Sequence, residues 1–104
     1  MTPELLSLGG FSFERKAQLI LLRTPDDLAE TDLQAFLRGA GHLLTLGMDL
    51  EGQVELSGGL IIRIEGEWVR LKLGRYSETF PTDRVAALFE RLTTELAPDP
   101  QQRV

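Results

Sequence analysis

The sequence predicts an α+β fold: one antiparallel β-meander sheet of four to five strands packed against a C-terminal helix, with one or two N-terminal helices. Three observations carry this. Val85, Leu88, Phe89, Leu92 and Leu96 fall at helical spacing. Residues 42–80 alternate apolar and polar side chains between glycine-bearing breaks. The stretch "TPDD" opens a further helix, with proline in the first turn, where its missing N–H costs nothing.

Taken in chain order, residues 11–23, "FSFERKAQLILLR", fit a helix capped by Ser12 that buries Phe13, Ala17, Ile20 and Leu21. The run "AQLILL" also fits a buried strand; the helix is the reading adopted. Thr24 then caps a helix over Pro25 to Arg38, with Asp26 and Asp27 at its positive end and Gly39 or Gly41 as its stop. Leu44, Leu46, Met48 and Leu50 begin the strands; Val54 and Leu56 resume them, and Leu60, Ile62 and Ile64 follow "SGG". Thr82 caps the last helix, about Asp83 to Leu96.

A chain of 104 residues suits one domain, assigned to 1–97, and the tail "APDPQQRV" makes 98–104 a disordered end. No internal repeat at solenoid periods is legible. The formal charge of −5 opposes bulk attraction to duplex phosphate. The absence of cysteine removes disulfides, thiolate metal sites and cysteine nucleophiles. No signal peptide or membrane span is predicted, so the cytoplasm is the expected compartment.

Chemistry is sparse. His42 is the only histidine and suits the negative end of a helix. Asp26 and Glu30, four apart, share one face of the predicted helix and read as solvated acids rather than a metal site. Neither a nucleophile elbow, nor "HExxH", nor a Walker loop occurs. No enzyme activity, cofactor or metal is expected.

The informative stretch is "RIEGEWVRLKLGRYSETF". Residues 63–76 hold Arg63, Arg70, Lys72 and Arg75 against Glu65 and Glu67. A hairpin turning at Glu65-Gly66 or at Gly66-Glu67 leaves Ile62, Ile64, Val69 and Leu71 on one face, and Ile61, Arg63, Glu65, Trp68, Arg70 and Lys72 on the other. The Glu65-Gly66 register is favoured because it sets Arg63 across from Trp68, whereas the other sets Arg63 against Arg70.

A three-residue turn after Leu73 is favoured as well. It spares Glu78 from burial and brings Tyr76 and Phe80 to the outer face with Trp68. The predicted binding surface is therefore Arg63, Trp68, Arg70, Lys72, Arg75, Tyr76 and Phe80.

The function expected is a small non-enzymatic intracellular binding module, of adaptor, chaperone-like or regulatory kind. It would contact a protein partner or a second copy of itself through this surface or a strand edge, an acidic helix facing a basic hairpin. The alternative is a single-stranded nucleic-acid binder stacking bases on the rings.

Overall fold

The computed structural model describes residues 5–46 and 52–96, and places two antiparallel sheets and two helices where the sequence predicts one sheet. Strands β1 (Leu5–Leu8), β2 (Phe11–Lys16), β3 (Leu19–Arg23) and β4 (Leu28–Asp32) form the first sheet in that order, and α1 (Leu33–Thr45) follows directly. Strands β5 (Gly52–Glu55), β6 (Ile61–Glu65), β7 (Trp68–Leu73) and β8 (Tyr76–Pro81) form the second, and α2 (Thr82–Glu95) follows.

The order ββββα therefore occurs twice, against the expectation of no internal repeat. From β2 and β6 onward equivalent positions lie 49 residues apart, and the first strands are offset by one because the β5–β6 loop is one residue longer than the β1–β2 loop. The Leu33 amide donates to Gln18 O at 2.9 Å, and the Thr82 amide donates to Glu67 O at 2.8 Å. Ala17 and Gly66 open equivalent hairpin loops at φ 58° and 62°. The halves conserve backbone geometry while sharing almost no side chains in register, so similarity along the sequence does not reveal them.

Residues 11–23 are strands rather than a helix. Phe11, Phe13, Ile20 and Leu22 are buried at alternate positions, and Ala17 adopts the positive φ that reverses the chain between β2 and β3. The predicted helix from Pro25 is likewise a turn and then a strand. Thr24 Oγ1 accepts from the Asp27 amide at 2.9 Å and the Asp26 amide at 3.3 Å, closing the corner into β4. A hydroxyl that can cap a helix can equally close such a turn.

The cap of α1 is Asp32, whose Oδ2 accepts from the Ala35 amide at 2.9 Å. The helix runs through Gly39 and Gly41 and includes Leu44, so this leucine is not in a strand, and Leu46 is the C-cap. A Cβ on Gly39 would come within 2.7 Å of Leu56 Cδ2, so this glycine admits the β5–β6 loop against the helix. Met48, Leu50 and residues 98–104 lie outside the described residues.

The C-terminal helix stands as predicted, except that Pro81 occupies the cap and Thr82 Oγ1 donates to Gly66 O at 3.0 Å. Helix α1 packs on β3 and β4, α2 packs on β7, β8 and β1, and the helices pack on each other. The buried side chains of both sheets and both helices join in one apolar cluster.

The tip of each half's first hairpin rests on the other half. Gly9 approaches Glu78 and Phe80, while the equivalent Gly58 approaches Thr31 and Leu22.

Candidate binding surface

Hairpin registers decide what each sheet shows to solvent. Strands β6 and β7 turn at Gly66-Glu67, pairing Ile64 with Val69 and Ile62 with Leu71, rather than at Glu65-Gly66. Gly66 takes a φ of 62° at the first loop position, which glycine does without a Cβ clash. Arg63 consequently sits opposite Arg70, and Trp68 opposite Glu65. The repulsion anticipated for the arginine pair is offset along the strand, where Arg63 Nε meets Glu65 Oε1 at 2.9 Å. Both partners are exposed, so the pair contributes at most about 1 kcal/mol.

Strands β7 and β8 turn in two residues, Gly74 and Arg75, not three. That register sends Tyr76, Glu78 and Phe80 to the inner face and leaves Ser77, Thr79 and Pro81 outside, so both rings expected beside Trp68 are elsewhere. The cost of turning Glu78 inward is met by hydrogen bonds: Tyr76 Oη donates to Glu78 Oε1 at 2.7 Å and the Gly10 amide at 3.0 Å. These bonds, the tyrosine's first, hold the Glu78 carboxyl below its ordinary pKa of 4.5, and the same contact raises Tyr76 above 10.0. Phe11 stands edge-on to Tyr76 at 5.2 Å and to Phe80 at 6.3 Å.

Five of the seven predicted surface residues remain together: Arg63, Trp68, Arg70 and Lys72 on the outer face, and Arg75 at the adjoining corner. Trp68 is 54% exposed. Among the described residues, Arg70 and Lys72 form no ion pair. Beside Trp68, a groove of about 570 Å³ runs between the β6–β7 turn and the first turn of α2, with Glu67, Pro81, Asp83 and Ala86 in its walls.

At the corner, the Arg75 amide donates to Asp27 Oδ2 at 2.9 Å. A carboxylate of the acidic segment thus meets the backbone of the hairpin's corner within the chain. His42 is exposed in the last turn of α1 and does not line the Trp68 groove. Asp26 lies in a turn and Glu30 in β4, and no group of three metal-ligating side chains occurs among the described residues. No helix there is long and apolar enough to cross a membrane.

A second surface escaped the sequence because residues 11–23 read as a helix. On the outer face of the first sheet Leu5 is 55%, Leu19 38% and Leu28 60% exposed, with Leu21 half-buried beside them. Treating "LILLR" as a strand would have alternated Leu19 and Leu21 outward. No family model matches the chain, and no curated protein or solved structure is significantly similar to it.

Proposed function

We propose that the chain is a non-enzymatic protein-binding module that grips its partner with the outer face of the second sheet. The observation that carries this reading is Trp68, half-exposed on a central strand, with Arg70 and Lys72 beside it, neither in an ion pair among the described residues, and a groove at its edge. Tryptophan and arginine are the side chains that most often anchor interfaces, because each brings a large contact area and a polar handle. The cations select a partner with an acidic rim, and the groove receives an apolar side chain next to the indole.

A second reading, capture of single-stranded nucleic acid, is favoured by the contiguous Arg63, Arg70 and Lys72 around that ring. The inward turn of Tyr76 and Phe80 counts against it, since a strand of bases stacks on successive rings.

A photo-crosslinking residue at position 68, installed in cells, tests the proposal. A single protein adduct of defined mass that disappears with Arg70→Glu supports it. An oligothymidine that quenches Trp68 fluorescence, with an affinity falling steeply as salt rises, replaces it with the second reading. Absence of any adduct at 68, with adducts forming from a probe at an exposed residue elsewhere, overturns the assignment of this face.

A further inference from the structure

We propose that the outer face of the first sheet is where two copies of this chain meet, related by a two-fold axis running along β3. This goes beyond the Trp68 reading and fails or stands independently of it, because it uses the opposite half of the molecule.

The face is built on three cross-strand rows. Lys16, Leu19 and Asp32 form the first, Leu5, Glu14, Leu21 and Glu30 the second, and Ser7, Ser12, Arg23 and Leu28 the third. Leu19 and Leu21 are neighbours on β3, and Leu28 lies diagonally across on β4, so an apolar stripe crosses the sheet. Scattered exposed leucines are ordinary, but a connected stripe on one sheet face marks a contact surface. The equivalent positions of the second sheet, 49 residues on, are Trp68, Arg70 and Ser77, so the stripe belongs to the first half alone.

Charge placement in the first row points to a second copy as the occupant. The first row reads positive, apolar, negative. Turned over about an axis along β3, the same row presents itself in reverse, so Lys16 meets the mate's Asp32, Leu19 meets its own counterpart, and Asp32 meets the mate's Lys16. A foreign surface would need that pattern by coincidence, whereas a symmetric contact supplies it automatically.

The second row sets Glu14 opposite Glu30 across the axis. Arg23 lies one row further along β3, about 7 Å away, and meets its own counterpart on the axis, so that two guanidiniums with long side chains face the four carboxylates of the second row. Asp32 caps α1 through Oδ2 and keeps Oδ1 for the mate.

Sedimentation velocity of the full chain from micromolar to millimolar concentration is the test. The expected result is a concentration-dependent dimer, weakened about a hundredfold by Leu19→Glu, which buries a carboxylate twice at the axis. Leu28→Glu weakens it about tenfold, and Trp68→Ala leaves it unchanged. Lys16→Asp and Asp32→Lys each dissociate the dimer, and mixing the two variants restores it as a heterodimer in which both charge rows are complementary again. Circular dichroism verifies folding, and should Asp32→Lys unfold for want of its cap, Leu19→Glu decides alone. A monomer throughout the range, a dimer indifferent to Leu19→Glu, or a dimer lost with Trp68→Ala overturns the proposal.

Discussion

The two hairpin tips that bind the halves together occupy equivalent positions and use different chemistry. At the β1–β2 tip, Gly10 reaches Glu78 and Phe11 packs its ring against Tyr76 and Phe80. At the β5–β6 tip, the Ser57 hydroxyl meets the Thr31 hydroxyl, and Gly58 passes over Leu22. One joint is aromatic with a carboxylate, the other small and neutral. The repeat preserves the placement of the tips rather than their loop length, and each half has filled a similar frame with its own side chains. The outer faces diverge likewise, leucine-striped on the first sheet and basic around Trp68 on the second.

The helices offer the most forceful way to break this comparison. Ala40 and Phe89 hold equivalent positions and both are fully buried, but one is the smallest core side chain and the other among the largest. Phe89→Ala is expected to cost about 3–5 kcal/mol in urea denaturation, through lost burial plus a cavity. The tips come next. Gly9 has φ 57° and a Cβ there would lie 2.7 Å from Phe80 Cζ; Gly58 has φ 91° and a Cβ there would lie 2.9 Å from Thr31 Cγ2. Alanine at either site combines backbone strain with overpacking, about 2–4 kcal/mol in total. The larger loss is expected at Gly9, where the obstacle includes an aromatic ring held edge-on by Phe11, and a reversed order would show the smaller joint to be the tighter one.

How much of this was legible follows from the signals each segment carries. The α+β class, α2 and the β6–β7 hairpin were readable because their apolar periodicities are long and unbroken. The first half was not, because its punctuation is ambiguous. "TPDD" satisfies the rules for a helix start and is used for a turn, while the true cap, Asp32, lies inside a stretch already assigned to a helix. Ala17 conceals the β2–β3 turn by standing where glycine would have announced it. The outward Trp68, Arg70 and Lys72 followed from period two alone, but the place of Tyr76 and Phe80 depended on one residue of loop length. That length turned on hydrogen bonds from Tyr76 and the distant Gly10, which no local pattern encodes.

Helix capping sharpens the comparison at smaller scale. Asp32 and Pro81 are equivalent, with nearly the same backbone, φ −63° and ψ 127° against φ −59° and ψ 143°, but only Asp32 supplies a side-chain cap. Asp32→Ala should cost about 1 kcal/mol. Pro81→Asp should stabilise by about 0.5 kcal/mol, the new cap exceeding the lost rigidity of proline. The β2–β3 loop gives a matching pair of opposite sign: Ala17→Gly is expected to stabilise by about 0.5 kcal/mol and Gly66→Ala to destabilise by a similar amount. Thermal denaturation resolves all four, and equal effects at the paired positions would mean the two frames tolerate less difference than their sequences suggest.

The finest test separates the two joints by pH. Glu78 has its folded pKa held below 4.5 by Tyr76 and Gly10, so its contribution is fully present above that value and is lost as pH falls through the folded pKa. Tyr76 titrates above 10.0 when folded, so its contribution is complete below that value and is lost as pH rises through the folded pKa. Glu95, lowered by its bond with Arg91, adds to the acid limb alone. Glu78→Gln should therefore flatten both limbs of the stability profile, and Tyr76→Phe should remove the alkaline limb and soften the acid one. Glu95→Gln should leave the alkaline limb untouched. If Glu78→Gln changes neither limb, the β1–β2 tip is held by Phe11 against Tyr76 and Phe80 without help from the carboxylate, and the two joints are alike in depending on packing.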